Sequence, residues 1–275
     1  MKKVNYREFS EVYDLVLDEI YVYWNNDMQY FIAKHNKSWE PKNFDFYNYL
    51  KLSKKRFYNA YMLFDEESKI ICDVGGFFGV FPTVLSKLGY DVSMTEALKY
   101  YTNAFDGMFA YIRSNGVEII DVDPFEKDVL PKNKFDEIMT LAVIEHYPHS
   151  LKIFMNNMSN ALKESGNMII EVPNIAYLYN RIKLLKGRTP LSDIKMILES
   201  NIPFTGHHHE FTFDELKVLV NSINFEITTS NFFNYSNDYT NLSFILRNPL
   251  KAMILYLFEK TRECIIIKAN CANSK

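Results

Sequence analysis

Apolar positions along the chain alternate between short unbroken runs and stripes at helical spacing. Ile70, Ile71, Cys72 and Val74 form a run of buried-strand length. Comparable strand signals recur at Tyr90–Thr95, Val117–Asp121, Phe135–Ala142, Asn167–Val172, Phe225–Thr229 and Cys264–Ala269. Helical patterns separate them. One has Pro82 near its start and Gly89 past its end, the usual helix punctuation. Another places Leu151, Phe154, Met155, Met158 and Leu162 on one face, with Gly166 as its predicted stop. Ile175, Leu178, Ile182 and Leu185 make a stripe closed by Gly187, on a helix bearing Arg181, Lys183 and Lys186. Thr212 and Glu215 predict a capping box ahead of Leu216, Leu219, Val220 and Ile223. Before residue 69, one stripe holds Val12, Leu15, Val16 and Ile20, and another Lys54, Phe57, Tyr58, Tyr61 and Met62, with Trp39-Glu40-Pro41 as the break between them. Strands alternating with helices predict an α/β fold built on βαβ units.

The richest stretch runs from Lys69 to Glu96. Gly75, Gly76 and Gly79 follow the first strand, and Glu96 closes the second, about 20 residues on, where an acid reaches ribose hydroxyls. The unit reads as nucleoside-binding. A dinucleotide site wants G-x-G-x-x-G, but Phe77 holds the place of the second glycine and would obstruct a pyrophosphate. A P-loop needs a Lys and a hydroxyl residue at a spacing this chain lacks. S-adenosylmethionine carries no phosphate, tolerates a looser turn and still needs the ribose-binding acid.

Composition changes this picture little. At 275 residues with a net charge of −3, the chain is long enough for a proper core, and nothing global points to DNA, RNA or an anionic partner. Cys72, Cys264 and Cys271 show no metal spacing and suggest a reducing cytoplasm. No stretch is long enough to span a bilayer, and the first residues lack a signal-peptide apolar region.

With V-I-E-H following the strand at 135–142, the order of elements resembles the class I S-adenosylmethionine-dependent methyltransferases of the V-x-E-H group, over roughly residues 69 to 230. The string from Pro173 to Pro190, P-N-x-x-x-x-x-x-R-x-x-L-L-x-G-x-x-P, is similar to a feature of bacterial methyltransferases related to the methionine-biosynthesis W protein, which often serve surface-glycan pathways. The resemblance implies a Rossmann-like, doubly wound, seven-stranded and mostly parallel sheet with an antiparallel last strand. A helical N-terminal cap (1–68) would precede the methyltransferase domain (69–275), with substrate insertions near 175–210 and 231–262. It implies that Asp73, Gly75, Gly76 and Gly79 line the methionine end of the cofactor, with Phe77 a departure inside that turn. Glu96 would bind the ribose, Asp123 the adenine amino group, with Val122 and Phe125 beside the ring, and Leu141 and Ala142 the sulfonium.

Methyl transfer is an in-line displacement, so a hydroxyl acceptor needs its proton removed. Glu145 and His146 lie just past the fourth strand, at the edge where open α/β sheets bind ligands, and His207, His208 and His209 enter from the following insertion. Glu145, His146, His207 and His209 are the candidate catalytic residues, with histidine suited to general base work near neutral pH. Small-RNA 2′-O-methyltransferases show a similar E-x-x-E-H, followed later by another His, that binds a divalent ion; Ala142 occupies the first Glu position here, so no metal is expected, with an ion held by Glu145, His146 and His207 as the alternative. The expected activity is O-methylation of a sugar or surface-glycan precursor in polysaccharide biosynthesis. Methylation of another small metabolite or RNA, and a non-catalytic cofactor- or partner-binding member of the fold, stand as alternatives. The expected partner is a small-molecule or glycan acceptor. The apolar segment 244–260, with Arg247, Lys251 and Lys260, suits either peripheral membrane contact or a cap or dimer helix, the latter preferred.

Overall fold

A computed structural model describes residues 2–35, 45–147, 150–199, 206–236 and 238–272. In chain order the helices and strands are α1 (Tyr6–Tyr21), α2 (Asn26–His35), α3 (Phe46–Tyr61), β1 (Ile70–Val74), α4 (Val80–Lys87), β2 (Asp91–Glu96), α5 (Asp106–Ser114), β3 (Val117–Asp121), β4 (Phe135–Leu141), α6 (Lys152–Ala161), β5 (Leu162–Pro173), α7 (Leu178–Leu185), α8 (Ile194–Leu198), α9 (Phe213–Asn221), β6 (Phe225–Phe233), α10 (Leu242–Arg247), α11 (Pro249–Leu257) and β7 (Cys264–Cys271). Among the described residues, seven strands form one sheet in the order β3-β2-β1-β4-β5-β7-β6. The first five are parallel, and β7 inserts antiparallel between β5 and β6. Strand order reverses between β1 and β4, so the crevice of this open sheet lies at their carboxyl ends.

Unbroken apolar runs become these strands because both sheet faces are covered. Successive residues point to opposite faces. Ile71, Met139, Ile169 and Ile266 join a core with α1, α3, α4 and α5, while Cys72, Ile138, Ile170 and Ile265 join one with α6 and α9. The N-terminal helices thus belong to the first core. Asn5 and Glu8 form a capping box that starts α1, and Thr212 and Glu215 form the expected one at α9. Gly89 follows α4 with φ 96°, as the punctuation predicts.

Four local expectations are corrected. The helix after β4 stops at Ala161, and Gly166 lies inside β5 at a bulge where the partner of β4 jumps from Leu162 to Asn167. A side chain at Gly166 would come within 3.0 Å of two carbonyl oxygens, which explains the glycine without a helix stop. On α1 the buried stripe is Phe9, Tyr13, Val16, Leu17 and Ile20, while Leu15 is exposed. On α3 the buried residues are Phe46, Leu50, Ser53, Arg56, Ala60 and Tyr61; of the expected stripe Tyr61 is buried, Phe57 and Tyr58 are partly so, and Met62 is exposed. On α7 only Leu178 is buried. The Trp39-Glu40-Pro41 break lies outside the described residues. Among the described residues, no helix is long and apolar enough to cross a membrane.

Candidate active site

A cavity of about 420 Å³ opens at the carboxyl ends of β1 and β4. Its wall brings together Asp73, Gly75, Gly76, Phe77, Leu141, Ala142 and His146 from the sheet edge. Helices α2 and α3 supply Ile32, Tyr49, Leu50, Arg56 and Phe57 as the opposite wall. The volume falls in the ~300–1,000 Å³ range of small-ligand pockets.

The turn after β1 is fixed by sterics. Gly75 has φ 74°, and a Cβ there would lie 2.8 Å from Val143 Cγ2. Among the described residues, five non-glycine positions have left-handed backbone, and three are Asp or Asn, which adopt it readily. The other two, Phe77 (φ 52°) and Ala142 (φ 55°), both line the cavity. Strained backbone of this kind concentrates at ligand sites. Phe77 therefore holds a backbone conformation that favours glycine, and it lines the cavity wall.

Asp73 is 3% exposed and has no hydrogen-bond partner among the described residues. Burial raises its carboxyl to about 7, partly opposed by the Arg56 charge. A buried carboxylate facing a cavity suits a cationic ligand group. Glu96 accepts from the Phe77 N–H at 2.5 Å and from the Tyr101 hydroxyl at 2.9 Å. Burial lifts it to about 8 against those two bonds. It therefore holds the backbone of the turn and does not reach the cavity wall. Asp123 accepts from the Phe125 N–H at 3.0 Å, in a turn that sets Phe125 against the cavity and flat on Tyr147. Val122 donates its backbone N–H to Glu96 O at 3.2 Å and packs into the second core.

Gly79 and His209, like Glu96 and Val122, stand outside the cavity lining. Gly79 caps α4 on the far side of the turn, where a Cβ would lie 2.4 Å from Ile112 Cδ1. It packs α4 closely on α5. His209 bonds Glu215 at 3.1 Å and sits edge-on to Phe211, so the α9 cap draws it away from His146.

Glu145, His146 and His207 do converge. The His208 N–H donates to Glu145 O at 2.7 Å, docking the later loop onto the short helix after β4. This places the His207 ring 4.7 Å from that of His146, edge to face. One ligand atom from each of the three residues lies within 4.8 Å of the others. Glu145 is fully buried, and neither carboxylate oxygen finds a hydrogen-bond partner among the described residues. Burial raises it to about 7, with the Glu171 charge adding to the rise and His207 and Arg56 opposing it. Burial pulls His207 down, but its bond to Glu210 and the Glu145 and Glu210 charges leave it above the ordinary imidazole value.

The sequence reading missed the α3 wall. Arg56 is buried with Glu171 of β5, its Nε 2.6 Å from Oε2. An acid in the apolar run M-I-I-E-V-P was the available signal, because a charge there requires a buried partner.

The reversed strand order, the glycine turn and the carboxyl-edge cavity define a Rossmann-like enzyme fold with a nucleoside-cofactor site. A family model described as a methyltransferase domain matches residues 46–230, more than half of the chain, and the chain belongs to that family. No curated protein matches it in sequence. Similar solved structures include an S-adenosylmethionine-dependent methyltransferase from Archaeoglobus fulgidus (19% identity, 82% of this chain and 99% of that one, TM-score 0.54). A second is the Burkholderia thailandensis 1,6-didemethyltoxoflavin-N1-methyltransferase with bound S-adenosylhomocysteine (12%, 99% and 93%, TM-score 0.53). A third is an O-methyltransferase from neocarzinostatin biosynthesis (12%, 81% and 55%, TM-score 0.51). At these identities the likeness shows the fold, and the family match carries the chemistry. The protein is a methyltransferase, and its cofactor is S-adenosylmethionine. The cavity residues fit that molecule: Asp73 offers an anion to its ammonium, and Gly75 and Gly76 leave backbone open to it.

Proposed function

We propose that the protein transfers a methyl group to a hydroxyl of a small acceptor, a sugar or surface-glycan precursor being the class that its Pro173–Pro190 string suggests. One observation carries the reading: His146 shares a cavity wall with Asp73, Gly75, Gly76 and Ala142, and His207 and the buried Glu145 stand behind it. S-adenosylmethionine supplies an electrophilic methyl on a sulfonium. Asp73 holds the positive methionine end, and Leu141 and Ala142 border the methyl. Tyr49, Leu50 and Phe57 close the opposite wall against water. His146 would accept the acceptor's hydroxyl proton as the O–C bond forms and the C–S bond breaks, and ionised Glu145 would offset the charge of the resulting imidazolium.

The test is labelled-methyl transfer to a panel of sugar nucleotides and glycan precursors. His146→Ala is expected to lower turnover by about 10²-fold or more while cofactor affinity stays within about twofold. Undiminished turnover in that variant contradicts the base role. Transfer confined to nitrogen acceptors contradicts the hydroxyl.

The convergence of Glu145, His146 and His207 favours a second reading, in which they hold a divalent cation that lowers the acceptor's pKa. Tetrahedral ligand atoms at ~2.1 Å from a metal stand ~3.4 Å apart, so the widest pair of the set would have to close by roughly an ångström or more. A metal-stripped protein that regains activity only with added cation supports this reading, and full activity without metal removes it.

A further inference from the structure

Two segments at the sheet's carboxyl edge present an apolar surface that the fold leaves uncovered. Residues 175–199 follow β5 and contain α7 and α8; residues 242–260 lie between β6 and β7 and contain α10 and α11. They share a root. The Asn174 side chain, at the end of β5, donates to the carbonyls of Lys260 and Arg262 at 3.0 and 2.8 Å. Farther out, Lys251 Nζ stands 4.7 Å from the centre of the Tyr179 ring, joining α11 to α7. The two insertions therefore stand side by side, at the same edge as the cavity.

Their outward faces invert the usual pattern of a surface helix. Helix α11 buries Ala252 and Leu255 and turns Leu250, Met253 and Tyr256 outward. Leu185 is 88% exposed and Leu198 81%. Of the 25 exposed large apolar side chains among the described residues, 14 fall on these two segments, which hold about a sixth of the chain. Scattered exposed apolar residues are ordinary, whereas such a concentration marks an interaction surface.

Charge selects the partner. The two segments carry eight basic and three acidic residues, a net of +5 on a chain whose net is −3. Two copies meeting across a two-fold axis would set this positive patch against itself. Headgroup phosphates over an acyl layer match both the charge and the apolar faces. We infer that the two insertions dock the protein on an anionic phospholipid bilayer. Apolar side chains enter the acyl boundary, the lysines and arginines meet lipid phosphates, and the mouth of the cavity is held at the membrane surface.

The experiment is flotation of the full chain with phosphatidylcholine vesicles and with vesicles containing about 30% phosphatidylglycerol, at low and high salt. Wild type is expected to bind the anionic vesicles at least tenfold better, less so in high salt. The exposed double change Leu185→Glu with Tyr256→Glu is expected to lose at least tenfold of that binding. Calorimetric titration with S-adenosylhomocysteine, unchanged in the double variant, verifies its fold and reads the cofactor site independently. Equal binding to both vesicle types, or to neither, overturns the inference. A wild-type dimer in light scattering that the double variant abolishes assigns the surface to a second copy instead.

Discussion

Replacing Asp73 by Asn removes a carboxylate that is 3% exposed on the cavity wall and raised to about 7 by burial. The cofactor brings an ammonium and a sulfonium, so binding favours ionised Asp73. In the free protein that form is about nine-tenths populated at pH 8 and about 3% populated at pH 5.5. Wild-type affinity is therefore expected to fall about 30-fold across this interval, or about 2 kcal/mol. Asp73→Asn should bind about tenfold more weakly at pH 8, the scale of one lost charge-assisted bond, with a profile that has lost most of its slope. Without cofactor the sign reverses. An unfolded Asp ionises near 4, so the stability from this buried neutral carboxyl is full below that pH and is lost as pH rises through about 7. The assay is calorimetric titration with S-adenosylmethionine from pH 5.5 to 8.5 at fixed ionic strength. Glu96→Gln serves as the companion variant, because Glu96 titrates near 8. A wild-type profile that is flat, or a 30-fold fall that persists in Asp73→Asn, would refute the reasoning.

Other outcomes follow from the same geometry. Arg56→Ala leaves Glu171 as an unpaired buried charge and is expected to cost about 3–5 kcal/mol, read as a lower denaturation midpoint. Gly79→Ala forces a Cβ to 2.4 Å from Ile112 at φ 67°, so chemical denaturation should show a loss of more than about 1 kcal/mol, with residual cofactor binding in the folded fraction. His209→Ala breaks only a half-exposed bond to Glu215, and its methyl-transfer rate should match wild type, unlike that of His146→Ala.

Much of the fold was legible because its signals are local. Runs such as Ile70–Val74 and Cys264–Ala269 have one physical reading once helices flank them, and the Thr212–Glu215 box announces its own helix. The βαβ turn was legible for the same reason: Gly75 is required by its φ and by Val143. Spacing does not distinguish a glycine that lines the cavity, such as Gly75, from one that faces another helix, such as Gly79. Nor could it show that Glu215 holds the His209 ring, while the His208 N–H, bonded to the Glu145 carbonyl, sets the neighbouring His207 ring beside His146. Arg56 was hidden because it is polar: a stripe read from apolar residues finds its neighbour Phe57 on the cavity wall and passes over the arginine. The stripe of α7 misled in the opposite sense: periodicity records an apolar face without saying what covers it, and Leu185 faces outward.

The central claim is that one cavity holds the cofactor against His146. A crystal structure with bound S-adenosylhomocysteine tests it most directly. The account predicts the amino group beside Asp73 and the sulfur beside Leu141 and Ala142, with open space between it and the His146 ring. Cofactor density outside this cavity, or a His146 ring cut off from the sulfur by protein, would contradict it.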